Sequence, residues 1–220
     1  MSTMLAPLLA LLLSIQPATQ PAASADDWKE KVMETAGADV WPSVTRLQFT
    51  FHVDRPSGES VSRTHDWNLV DGTATITTPD GTETTIRPWA FDADRATEAE
   101  KQAFQQWTND GYWLLMPLKL GDGGVKFSPV MTTRDMPASR ANTTMSFEEV
   151  GLTPRNEYDL SIDLRRGVVD QWTFRPTPEA DGTTWTWEGY EDFNGLMLST
   201  MHTPQNGGPT IRFTEIEVTR

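Results

Sequence analysis

Thirty-one acidic residues against 18 basic ones give this chain of 220 residues a formal charge of -13 at pH 7, which argues against nucleic acid or an anionic membrane surface as a partner. With no cysteine, neither a disulfide framework nor a lipid-modified cysteine is available. Turn clusters recur at short intervals from Val44 to Arg220 without a Gly/Ser or charge-rich linker, so one continuous sheet and one domain over 26–220 are expected.

Residues 1–25 carry no ionisable side chain, run apolar from Leu5 to Ile15 and end in Ala23-Ser24-Ala25. This is the pattern of a secretory signal peptide cleaved after Ala25, the apolar run being short for a membrane anchor. The mature protein is expected to be periplasmic or secreted, monomeric and without stable membrane insertion.

Trp28 to Val40 reads as a helix, with Asp26 or Asp27 as its cap and Trp28, Val32, Met33 and Ala36 at helical spacing before Gly37. Leu47, Phe49, Phe51 and Val53 then alternate with polar residues in a half-buried strand that ends at Arg55-Pro56-Ser57-Gly58. A hairpin partner runs through Val61, Arg63, His65, Trp67 and Leu69. Asp71-Gly72 and Asp80-Gly81 turn the chain into two further strands of a meander.

From Asp94 to Asp110 the period changes, and Ala96, Ala99, Ala103, Phe104 and Trp107 line one side of a helix. The next ten residues, Gly111 to Leu120, are almost all apolar. Tyr112, Leu114 and Met116 would fall on one face of a strand and Trp113 and Leu115 on the other, which predicts a central strand covered on both sides. Val125 and Phe127 begin another strand, and Met131 to Arg140 reads as a loop, ordered or partly mobile. Further strands are expected around Met145 and Phe147, over Tyr158 to Ile162, over Val168 to Arg175, at Trp185 and Trp187, from Leu196, and through Ile211, Phe213, Ile216 and Val218. The expected fold is mainly β: a curved antiparallel sheet of about eleven strands forming an unclosed half-barrel, with the N-terminal and internal helices over its concave face.

Chemistry-bearing motifs are sparse. His52, His65 and His202 are the only histidines and none has metal-ligand spacing, so no metal or cofactor is expected. There is no Gly-x-Ser-x-Gly and no Gly-rich phosphate loop. Arg63 and His65 share a face with Trp67 and Leu69, while Asp66 lies on the opposite one. That group supports either a polar pair at a strand end, a contact for a ligand's headgroup, or the cleft of a hydrolase-type enzyme built on His65, Asp66 and Arg63. A structural or partner-binding role is the third alternative.

Nine tryptophans are many for this length. They either fill a dry β core or form the wall of a wide apolar cavity. In the second case the lining is expected at Phe49, Phe51, Trp67, Leu69, Phe104, Trp107, Trp113, Leu115, Trp172, Phe174, Trp185 and Trp187, with Arg63 and His65 at the headgroup.

The N-terminal helix, the meander containing Phe49-Thr50-Phe51 and Trp67-Asn68-Leu69-Val70-Asp71-Gly72, the internal helix, and the closing Asn194-Gly195-Leu196 and Ile211-Arg212-Phe213 resemble the lipoprotein-carrier superfamily of LolA and LolB. Asp110-Gly111-Tyr112-Trp113-Leu114-Leu115-Met116-Pro117-Leu118-Lys119-Leu120, Val150-Gly151-Leu152-Thr153-Pro154 and Val168-Val169-Asp170-Gln171-Trp172 are similar to an uncharacterised family of bacterial exported proteins of that fold. The resemblance implies an unclosed barrel, helices acting as a lid, and a lipid-binding cavity that takes acyl chains. A lipid, a lipoprotein or another hydrophobic small molecule is the implied partner, and carriage rather than catalysis the implied role.

Overall fold

Leu47, Phe49 and Phe51 alternate along β1 (Arg46–Asp54) and bury one face of it completely, which suits the strand to the middle of a sheet. A computed structural model describes residues 27–135, 138–147 and 155–220. In it β1 lies between β2 (Ser60–Asn68) and β13 (Thr210–Thr219). The sheet continues through β3 (Thr73–Thr77) to β4 (Glu83–Ile86) on one side, and through β12 (Leu196–His202) to β11 (Glu188–Phe193) on the other. A second antiparallel sheet runs from β10 (Thr183–Thr186) through β9 (Val168–Arg175), β8 (Glu157–Asp163) and β7 (Ala138–Phe147) to β5 (Val125–Phe127), and β6 (Met131–Asp135) also pairs with β7.

The described residues thus hold thirteen strands in two sheets, where about eleven in one continuous sheet were expected. The sheets approach each other along a seam. Thr186 N–H donates to the Thr203 carbonyl, Gln205 N–H to that of Thr184, and Trp187 N–H to that of Asp170, each at 2.8–2.9 Å. The barrel does not close, and helices occupy its concave side.

Three local expectations are corrected. Helix α1 (Trp28–Ala36) stops before Val40 because Gly37 takes a left-handed conformation, φ 91°, and its N–H bonds back to the last turn. Asp27 makes no side-chain cap, and Asp26 lies outside the described residues. Met131 to Arg140 is not a loop: β6 and the start of β7 form an antiparallel pair across it, in register from Met131 opposite Asn142 to Asp135 opposite Ala138. The Pro and Ser of that stretch concealed two adjoining strands, the second of which, β7, runs on to Phe147 and is paired in turn with β8. The expected signal peptide and the Gly151 to Pro154 turn lie outside the described residues.

The largest correction concerns 111–120. Helix α2 (Glu98–Lys119) does not end at Asp110 but continues for nine more residues and takes in almost the whole apolar stretch. It begins with a capping box: Thr97 Oγ1 accepts from Glu100 N–H, and the Glu100 carboxylate accepts from Thr97 N–H. Its second half is apolar all round because it lies between the two sheets, and a helix buried on every side has no amphipathic period to betray it. Leu114 and Leu115 pack with the first sheet, Met116 and Leu120 with the second, and Trp113 touches both clusters. No described helix is long and apolar enough to cross a membrane.

Gly111 sets how closely α2 approaches β2. A Cβ there would come within 2.6 Å of the Trp67 ring, which is itself buried. Replacing Gly111 with Ala therefore forces the ring or the helix to move, despite the better helix propensity of Ala. The expected cost is about 1–3 kcal/mol, read as a lower urea midpoint with a changed near-ultraviolet signal from Trp67. An unchanged midpoint would show that the helix rides freely over β2.

Candidate functional site

One polar assembly joins α2 to the sheet. Arg63, His65 and Trp67 alternate along β2 and point to the concave side, where Asp110 enters from α2. Arg63 donates from Nε and a terminal nitrogen to the two Asp110 oxygens, both at 2.7 Å. An indole N–H only donates, so Trp67 Nε1 donates to His65 Nδ1 at 3.4 Å, which leaves His65 Nε2–H to donate to Asp110 Oδ2 at 3.0 Å. Asn109 Nδ2 donates to Oδ1 at 2.9 Å, so each carboxylate oxygen accepts twice. Burial works to raise the Asp110 pKa, but the hydrogen bonds from His65 and Arg63 and the guanidinium charge outweigh it and hold the carboxyl below its ordinary value. Phe49 stacks on His65 with centroids 4.5 Å apart, and the Arg63 guanidinium lies over Phe51.

Around this latch the concavity is aromatic. Phe49, Phe51, Trp67 and Leu115 are buried in the cluster of the first sheet, with Leu69, Phe104 and Trp107 partly buried against it. Trp172, Trp185 and Trp187 belong to the cluster of the second sheet, with Phe174 at its margin. Trp113, on α2, packs 4.4 Å from Trp172 and 5.2 Å from Trp185 and so bridges the two groups. The twelve residues named from sequence therefore divide between two clusters on the concave side of the sheets, with Trp113 against both. In the arrangement described, α2 occupies the middle of that side, and the rings meet one another and the helix.

The chain is similar in fold to a LolA superfamily protein, among other solved structures. Three solved structures resemble it over most of both chains. They are a DUF1329 family protein from Desulfovibrio piger (7% identity, 88% of this chain and 92% of that one, TM-score 0.49), a LolA superfamily protein from Nitrosomonas europaea (8%, 87% and 94%, 0.49), and an outer membrane lipoprotein-sorting protein domain from Vibrio parahaemolyticus (8%, 89% and 93%, 0.48). No protein-family model matches the sequence, and no curated protein does.

Arg63 Nε, one Arg63 terminal nitrogen and His65 Nε2 are turned to Asp110 rather than to an open headgroup position. Nor do His65, Asp66 and Arg63 come together as an enzyme cleft would need. Asp66 points to the other face of β2 and pairs there with Arg46, while His65 and Asp110 are sealed from solvent. The missing partner was Asp110, and its signal was present in the sequence. An acidic residue at helical spacing from Trp107 and Leu114 stands in an apolar stripe, where it needs a cation.

A cleft of about 380 Å³ opens where the start of α2 meets β3 and β4, lined by Ile86, Arg87, Phe91, Asp92, Arg95 and Glu100 among others. Phe91 at its wall stacks on Phe104 at 4.1 Å, which connects the cleft to the aromatic interior. Deeper in, His202 is fully buried beside Trp187 at 4.4 Å and Trp113 at 5.3 Å. Burial lowers its pKa to about 3, only partly offset by the backbone of Thr186 and Trp113.

Proposed function

We propose that this protein is a periplasmic or secreted carrier for a lipid, the acyl chains of a lipoprotein or another hydrophobic ligand, bound in the concavity that α2 fills. The observation that supports this most is how α2 is held. Its apolar second half lies among rings from both sheets, while a polar anchor, Arg63 and His65 on Asp110, ties it to β2. A helix seated in this way occupies the space an acyl chain would take, and its withdrawal would open a wall lined by Phe49, Phe51, Trp67, Leu69, Phe104, Trp107, Trp113, Leu115, Trp172, Phe174, Trp185 and Trp187. Release of the latch would also free Arg63 and His65 for a headgroup. The cleft beside Phe91 is the approach for the chain. Cleavage after Ala25 would deliver residues 26–220 as one soluble, monomeric domain, and the acidic balance keeps it off nucleic acid and anionic membranes.

The test is binding of brominated acyl chains of increasing length to protein extracted free of lipid and refolded. Affinity should rise with each methylene, by roughly 0.8 kcal/mol where burial is complete, until the concavity is full. Quenching should reach Trp113 and Trp187, judged from variants that keep one or the other. Folded protein that binds with no dependence on chain length and shows no quenching would end the carrier reading.

A further inference from the structure

The second aromatic cluster contains polar atoms that have nothing to bond. Trp172 Nε1, Trp187 Nε1 and both ring nitrogens of His202 are buried without a hydrogen-bond partner. They sit close together: Trp172 and Trp187 are 5.1 Å apart by ring centroid, Trp187 and His202 4.4 Å, and Trp113 of α2 packs on both Trp172 and His202. Buried groups of this kind are nearly always paired, since each loses its hydrogen bonds to water and gains none in return. Three of the four nitrogens can donate at once, two from indoles and one from a neutral imidazole, against a single imidazole acceptor. The backbone of Thr186 and that of Trp113, whose carbonyl receives no helical N–H because Pro117 stands four residues on, lie near His202 but not at hydrogen-bond geometry. The cluster is therefore rich in donors and short of acceptors.

We propose that Trp172, Trp187 and His202 form a hydrogen-bonding subsite, uncovered when Trp113 withdraws with α2, that selects acyl chains bearing an uncharged carbonyl, as in an ester or amide. This rests on the carrier reading above and names the ligand class for it. A carbonyl oxygen offers two lone pairs to the surplus donors. A free carboxylate offers the same lone pairs but brings a charge, and the other rings that meet this cluster, Tyr112, Tyr158, Trp185 and Phe213, carry no cation. A plain hydrocarbon leaves the donors unpaired. Esters and amides should therefore bind in preference to both.

The experiment compares methyl decanoate, decanoate and undecane on wild-type protein freed of lipid, at neutral pH. The ester should bind about tenfold more tightly than either competitor, which is the scale of one hydrogen bond made to an otherwise unpaired donor. In His202→Phe and Trp187→Phe the ratio of ester to hydrocarbon affinity should fall towards one, whatever the change in hydrocarbon affinity itself. Independently of any variant, the infrared carbonyl stretch of carbon-13-labelled ester on the wild type should move below its position in hydrocarbon solvent. Equal binding of ester and hydrocarbon with an unshifted stretch would overturn the subsite, as when water satisfies those nitrogens, yet leave the carrier reading intact. An ester preference that survives in both variants would also overturn it. Failure of all three compounds to bind would overturn the carrier reading and the subsite together.

Discussion

Asp110→Asn is expected to destabilise the protein by about 3–5 kcal/mol, because it removes the counter-charge of a buried guanidinium and leaves the rest of the structure in place. For a chain of this size that lowers the melting temperature by on the order of 10 °C. The Arg63 side chain is 16% exposed and that of Asp110 0%, so water can replace only part of what is lost, and only at the guanidinium. The molecule contains its own control. Arg46 and Asp66 form the same two-pronged pair on the opposite face of β2, at 50% and 36% exposure. There Asp66→Asn should cost no more than about 1 kcal/mol. The pairs differ in burial and in the further bonds that Asp110 accepts from His65 and Asn109, so their comparison measures what the buried assembly adds to an exposed pair.

A second variant separates the latch from the general stability of the core. In Arg63→Met/Asp110→Leu both charges go at once and apolar side chains take their place. Replacement of a buried pair by packed apolar groups is often neutral or stabilising, so the double variant should regain most of the loss. If the latch limits movement of α2, the single variant should also exchange amide hydrogens of 111–119 faster than wild type at matched stability. Similar losses for Asp110→Asn and Asp66→Asn would mean that the buried assembly contributes nothing beyond an ordinary surface pair.

What could be read in advance was whatever repeats at short range. The alternation of Leu47, Phe49 and Phe51 and the turns at Asp71-Gly72 and Asp80-Gly81 carry their periods in the residues themselves, and β1 to β4 lie where those periods put them. Trp67 and Arg63 were placed on one concave face for the same reason. The second half of α2 was not legible as helix. Tyr112 to Leu120 is apolar around the whole helix, and such a run fits a two-sided strand and a buried helix equally well. That single misreading hid the latch, because Asp110 seemed to end a helix when it stands in the middle of one. β6 escaped notice for another reason: it pairs with the adjoining start of β7, but the Pro, Ala, Ser and Arg content of the stretch describes a loop.

His202 should make the protein sensitive to mild acid. In the folded chain the ring stays neutral down to about pH 3, whereas a solvated histidine takes up its proton near 6.5. Between those values the unfolded chain holds one more proton than the folded one, so stability is full above 6.5 and is lost as the pH falls. At about 1.4 kcal/mol per pH unit the whole gap amounts to roughly 5 kcal/mol, and about 2 kcal/mol of it should be gone by pH 5. Carboxylates held below their ordinary value, Asp54, Asp110 and Asp159 among them, give up their contribution only nearer pH 4 and below. His52, also lowered by partial burial, works in the same direction as His202, and Asp170, raised by burial, in the opposite one. Both are shared by wild type and His202→Phe, so the readout is the difference between the two proteins in urea stability from pH 7.5 to pH 5. Wild type should lose about 2 kcal/mol more than the variant over that interval. Parallel pH profiles would mean that the ring takes up its proton in the folded state as easily as in the unfolded one, and that the second aromatic cluster is open to water.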